Sequence, residues 1–139
     1  MKKVFLDTNI LIDLVDNRDL KITGIDRIFD QSPYPRIYIS ALSIPLTFYV
    51  CKIKNGNLKF NRLKKLLESI DILPLTEDTI FKAIGNSKTP DFEDTLQYLT
   101  AVENNCNYIL TRDMIDFSKI EKVIPSKTKV IYHISQINQ

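Results

Sequence analysis

One histidine and two cysteines are all the chain holds of the nitrogen and sulfur side chains that serve most often as zinc ligands and activated nucleophiles. A structural zinc site takes about four such ligands, and Cys51, Cys106 and His133 do not sit at ligand spacing. The same scarcity leaves no Ser–His or Cys–His pair to supply a nucleophile and its base. Cys51 and Cys106 lie inside amphipathic segments and read as small buried hydrophobes in a reducing compartment. Glycine and proline are also sparse, at 3 and 6 residues, and no low-complexity tract, charge block or solenoid-length repeat marks a linker or an array. One domain spanning residues 1–139 is therefore expected. No apolar run approaches the ~20 residues of a membrane span. Asp7, Asn9 and Asp13 interrupt the start of the chain too early for a signal peptide, so a cytoplasmic protein is expected. A net charge of +2 is too mild to imply a nucleic-acid partner by itself.

Short apolar runs alternate with helical periodicities. Val4-Phe5-Leu6 is an unbroken apolar run, the pattern of a strand covered on both faces, and Arg36-Ile37-Tyr38-Ile39-Ser40, Tyr108-Ile109-Leu110 and Lys129-Val130-Ile131-Tyr132 read as further strands. Ile72-Leu73-Pro74-Leu75 reads as an edge strand, where proline is tolerated. A helix follows the cap Asp7-Thr8-Asn9, and a second runs through Ile22, Ile25, Ile28 and Phe29. A mostly apolar segment occupies 42–53, and further helices are expected over 58–70, from Thr76 to Ile84, and from Pro90-Asp91 to about Asn104. Such alternation implies an α/β fold: a central parallel sheet with helices on both faces, joined by right-handed crossovers.

Ligands of such folds bind beyond the carboxyl ends of the strands. Asp7 directly follows the first strand, and Asp113 and Asp116 follow the strand at 108–110. Asp91 and Asp94 open the helix that feeds that strand, and because it runs opposite to the strands it starts at the same edge. Each acid also has a local reading: Asp7 as a cap, Asp91 with Asp94 as a capping pair, Asp113 and Asp116 as turn residues. Taken together they are costly, since two unit charges ~4 Å apart repel by about 4 kcal/mol at an effective dielectric of ~20. Such a cluster must protonate, separate or bind a cation. Oxygen ligands alone select Mg²⁺ or Mn²⁺, ions that activate water and neutralise a phosphoryl group under attack.

Three stretches carry a family resemblance: Val4-Phe5-Leu6-Asp7-Thr8-Asn9-Ile10-Leu11-Ile12-Asp13, Asp91-Phe92-Glu93-Asp94-Thr95-Leu96-Gln97 and Ile109-Leu110-Thr111-Arg112-Asp113-Met114-Ile115-Asp116-Phe117. In this order they resemble the PIN domain family, and most closely the toxin components of bacterial toxin–antitoxin modules. The resemblance implies a three-layer α/β/α sandwich around a five-stranded parallel sheet of order 3-2-1-4-5. It also implies Mg²⁺- or Mn²⁺-dependent cleavage of RNA, a homodimer, and an antitoxin partner that fills the site. Asp7, Asp94 and Asp113 would then be catalytic metal ligands, and Asp116 a further ligand or a water-positioning acid. Thr8, Asn9 and Thr111 would orient those carboxylates, with Asp91 beside them, foremost as a cap. One position departs from the family: where most members carry Glu, and closer ones Asn, this chain has Leu46, which cannot bind a metal. Ser43 is the nearest polar side chain.

For RNA contacts, Arg112 shares the acidic rim, while Lys52, Lys54, Lys59 and Arg62 gather with Lys64 and Lys65 around Asn55-Gly56-Asn57, near Tyr49 and Phe60. Phosphate contacts with aromatic stacking would suit single-stranded RNA; a solvated helix face is the plainer reading of the same lysines. His133 reads as an end-of-strand residue. A rival class is a weakened or inactive PIN-fold module that binds RNA or antitoxin, and Leu46 favours it. An aspartate-phosphorylating hydrolase needs a second Asp where Asn9 stands. A phospho-receiver needs an acceptor Asp after the third strand, where Leu75-Thr76 offers none.

Overall fold

Successive residues of a strand point to opposite faces, so a buried strand supplies two half-cores at once. The computed structural model, which describes residues 1–137, shows this in β1 (Lys3–Leu6). Val4 and Leu6 enter one apolar cluster and Phe5 the other. β2 (Arg36–Ser40) and β4 (Tyr108–Leu110) divide the same way: Ile37, Ile39 and Leu110 face the first cluster, Tyr38 and Ile109 the second. With β3 (Asp71–Leu73) and β5 (Lys129–Ile131) they form an all-parallel five-stranded sheet in the order β3-β2-β1-β4-β5. The three-layer α/β architecture and strand order expected from the sequence are those observed.

On one face lie α1 (Thr8–Asp16), α3 (Ser43–Cys51) and α4 (Leu58–Leu66), contributing Ile10, Leu11, Val15, Cys51 and Leu63 to the first cluster. A single turn, α2 (Leu20–Thr23), follows α1. On the other face lie α6 (Phe92–Glu103) and α7 (Met114–Val123), which bury Tyr98, Ala101, Phe117 and Ile120. α5 (Glu77–Gly85) packs outside α6 through Ala83, Leu96 and Leu99. Tyr98 is wholly buried and donates its hydroxyl to the Ile124 carbonyl at 2.6 Å, tying α6 to the end of α7.

Three elements differ from the sequence expectation. The second helix is broken at Gly24 into α2 and a 3₁₀ helix over Ile25–Asp30. Gly24 sits at φ +76, where a Cβ would come within 2.8 Å of Ile134. The chain turns there, and Ile25 and Ile28 stay buried at the spacing of three that suits a 3₁₀ helix. α4 ends at Leu66 rather than at residue 70. α7 was not anticipated, although Asp113, Phe117 and Ile120 form its cap and buried stripe.

β1 and β4 pair in parallel with Leu6 opposite Leu110, which brings the next residues, Asp7 and Thr111, out side by side. Asp7 N–H donates to the Leu110 carbonyl at 3.0 Å. Ile109, in the strand that sets this register, is fully buried. We expect Ile109→Ala to lose about 2–5 kcal/mol of unfolding free energy in urea titrations, by lost burial plus a cavity between sheet and α6.

Candidate metal centre

Three helix N-termini meet at the carboxyl edge of the sheet, and each begins with an aspartate. Asp7 caps α1, its Oδ1 accepting from Thr8 N–H at 2.8 Å. Asp91 caps α6 by accepting from Asp94 N–H at 2.8 Å, and Asp113 caps α7 by accepting from Asp116 N–H at 3.2 Å. In α6 and α7 the residue held by the cap is itself an acid, so each first turn presents a second carboxylate to the same space. Thr111 joins the edge laterally: its hydroxyl donates to Asp7 Oδ2 at 2.8 Å and accepts from Asp113 N–H at 2.9 Å. The local cap reading of Asp7, Asp91 and Asp113 and their convergence are therefore both present.

Asp94, Asp113 and Asp116 each offer a carboxylate oxygen, all within 4.8 Å of one another. Asp7 stands next to this trio and is 4% exposed. Burial pushes the Asp94 carboxyl up to about 7, and the charges of Asp7, Asp91, Asp113 and Asp116 add to the effect. Burial likewise raises Asp7 to about 6, against the opposing hydrogen bonds from Thr111 and Thr8. Asp116 is raised by desolvation and by Asp113, and Glu93 by desolvation and by Asp91. Three hard oxygen donors with excess negative charge fit a divalent cation such as Mg²⁺ or Mn²⁺. The donor set has no thiolate or imidazole to favour a softer ion.

The other residues singled out in the sequence divide. Thr8 uses its hydroxyl on Ser43 and Gln97, not on a carboxylate. Asn9 has a buried Oδ1 without a hydrogen-bond partner. Arg112 does not project toward the acids: its guanidinium is taken by the fully buried Asp13, at 2.8 and 3.2 Å. Burial raises the Asp13 carboxyl, and Arg112 opposes that shift. Lys59 is bound to Asp16 at 2.9 Å and to the Cys51 carbonyl, and Arg62 donates to the Val15 carbonyl at 2.6 Å. Those partners end α1 and α3, so Lys59 and Arg62 lie at the sheet edge opposite the acids, with the exposed Lys52 and Lys54 in the adjoining loop. The structure thus does not bring these four cations to the acidic rim. Leu46 lies on α3 one turn past Ser43.

Both cysteines are buried free thiols, which burial pushes up to about 11. His133 caps the last 3₁₀ turn, Ile134–Gln136, through its Nδ1. Sequence reasoning gave no role to Asp13 or Gln97. An acid between Ile12 and Leu14 on an apolar helix, and an amide one turn past Asp94, were the available signals.

The raised carboxyls set a pH dependence. From the ordinary value of 3.8 up to about 7, the folded, metal-free chain holds more protons on Asp94 than the unfolded chain does. Stability therefore falls as pH rises through that window. We expect Asp94→Asn to raise the Tm of metal-free protein, by a margin that widens from about pH 5 to about pH 8. Saturating Mn²⁺ should reverse the order in favour of the unsubstituted chain. A margin that shrank with pH in differential scanning calorimetry would contradict the clustered geometry.

Comparison with known proteins points the same way. The chain is 28% identical over 134 residues to Ribonuclease VapC1 of Aquifex aeolicus, covering 91% of this chain and 92% of that protein. Its fold is similar to that in the crystal structure of VapBC2 from Rickettsia felis bound to a promoter DNA fragment, at TM-score 0.67 and 17% identity, over 94% and 98% of the two chains. It is also similar to the fold of VapC20 from Mycobacterium tuberculosis, a sarcin–ricin-loop-cleaving toxin, at TM-score 0.63 and 13% identity, over 83% and 93%. The PIN domain matches residues 4–123, and with five parallel strands in the order 3-2-1-4-5 bearing the acids at their carboxyl edge, the chain belongs to the PIN domain family.

Proposed function

We propose that this protein is a divalent-metal-dependent endoribonuclease, the toxin of a toxin–antitoxin pair, with residues 1–139 acting as one nuclease domain. The observation that carries the reading is the trio Asp94, Asp113 and Asp116 within 4.8 Å, joined through Thr111 to Asp7. Likeness to a ribonuclease and to a toxin that cleaves the sarcin–ricin loop supports RNA as substrate. Likeness to toxin–antitoxin complexes supports an antitoxin as partner. A homodimer in the cytoplasm completes the proposal.

Asp94, Asp113 and Asp116 would hold the cation, and Asp7 would share it or orient its water. When bound, a divalent ion lowers the pKa of water and neutralises charge on the phosphoryl oxygens. The protein's own part is placement. Thr8 N–H and the Thr111 hydroxyl fix both oxygens of Asp7. The caps at Asp91 and Asp113 fix the first turns that carry Asp94 and Asp116. The N-terminal ends of α6 and α7 favour the ionised carboxylates that a cation needs. The one histidine, His133, is engaged in capping the Ile134–Gln136 turn, its Nδ1 accepting from Ser135 N–H at 3.0 Å and lying 2.9 Å from Ser135 Oγ, and the acids have no such base beside them among the described residues; water is the attacking group.

Leu46 favours a second reading, a PIN-fold module that binds without cleaving. Purified protein with Mn²⁺ or Mg²⁺ should cut RNA, and chelation should stop it. Asp7→Asn and Asp94→Asn should each lower the rate by roughly 10³-fold, the loss of several kcal/mol of transition-state stabilisation. Cleavage that survives in both variants would point to a contaminant. No saturable Mn²⁺ binding by calorimetry, together with no cleavage, would select the second reading.

A further inference from the structure

Leu46 leaves α3 without a carboxylate, yet α3 remains tied to the site. Its Ser43 hydroxyl lies 2.8 Å from Thr8 Oγ1, and the Gln97 side-chain amide donates to Thr8 Oγ1 and, at 2.9 Å, to Ser43 Oγ. Ser43 and Gln97 are completely buried and Thr8 nearly so. The three residues belong to α3, α6 and α1. Thr8 adjoins Asp7 and donates its N–H to that carboxylate. Gln97 follows Asp94 by three residues, which puts the two on neighbouring turns of one helix face. The knot therefore links the helix that carries Asp94 to the helix that Asp7 caps, two acids whose charges oppose each other.

Packing alone does not account for Gln97. Its Oε1 is buried without a hydrogen-bond partner, a cost that Leu or Met would avoid at the same position. The geometry points to Gln97 as a positioning residue: with Ser43 as its anchor on α3, it holds α6 against the helix that Asp7 caps, and so keeps Asp94 in place with Asp113 and Asp116 to receive a divalent cation. In this chain α3 serves the site through a hydroxyl behind the acids, in place of a ligand among them. This inference rests on the nuclease reading.

The test uses the full chain with Gln97→Met, which roughly keeps volume, and Ser43→Ala. Three quantities are measured: Mn²⁺ affinity by calorimetry, the Tm of metal-free protein, and kcat and KM on RNA. Gln97→Met should weaken Mn²⁺ binding and lower kcat by about tenfold each, the range found when groups that orient metal ligands are removed. KM for RNA should stay within about twofold, and the metal-free Tm should hold or rise. Ser43→Ala should show the same pattern at smaller size. A folded Gln97→Met protein with Mn²⁺ affinity and kcat within about twofold of the unsubstituted chain overturns the inference, as does a fall in Tm alone. If Gln97→Met does not fold, Ser43→Ala decides by the same measures. Unsubstituted protein that neither binds Mn²⁺ nor cuts RNA removes the nuclease reading and this inference with it. An active parent with unchanged variants removes only the inference.

Discussion

Ionising Asp94 works against burial and against four neighbouring carboxylates, yet the backbone holds the side chain in that position. Left free, acids so placed would move apart into water. Here they are pinned by their backbones. Each lies on or directly before a helix first turn whose path is set by the sheet below, and the strands end where the acids begin. A centre of this kind is unfavourable when empty and becomes favourable when a cation arrives.

The pinning uses little material. Asp7, Asp91 and Asp113 are helix caps that any α/β protein might carry for stability. The repeated arrangement of cap and third-residue acid in α6 and α7 turns that ordinary device into a pair of matched jaws, with Thr111 as the cross-piece between Asp7 and Asp113. Structural and chemical readings of these aspartates are thus the same atoms seen from two sides. The helix termini satisfy their donors, and the carboxylate oxygens left over face the shared space.

Arg112, Lys59 and Arg62 are held away from the acids by pairing within the fold. Arg112, which adjoins Asp113 in sequence, is drawn to Asp13 because a fully buried carboxylate without a partner is far costlier than an exposed one. Lys59 and Arg62 are spent on the end of α1. A basic side chain at the acids would compete with a metal ion, so removing Arg112 to Asp13 leaves the trio free of an internal counter-ion from that quarter. Lys52 and Lys54 stand exposed at the opposite edge of the sheet, while Lys119 of α7 is the cation whose charge reaches Asp116.

The amino-acid sequence by itself determined the strands, their order by way of family resemblance, and which acids gather at one edge. Period-two burial is a local rule, and the general topology of parallel α/β sheets then puts Asp7, Asp94, Asp113 and Asp116 at the strands' carboxyl edge. It could not place Arg112, because the competing partner, Asp13, is 99 residues away. Nor could it show Gln97 reaching Thr8 across 89 residues, or that Gly24 must break a helix to let His133 and Ile134 pack. Those outcomes depend on which distant groups are buried together. Only tertiary structure decides that, since the energy of a polar side chain is set by the surroundings it is desolvated into and not by its neighbours along the chain.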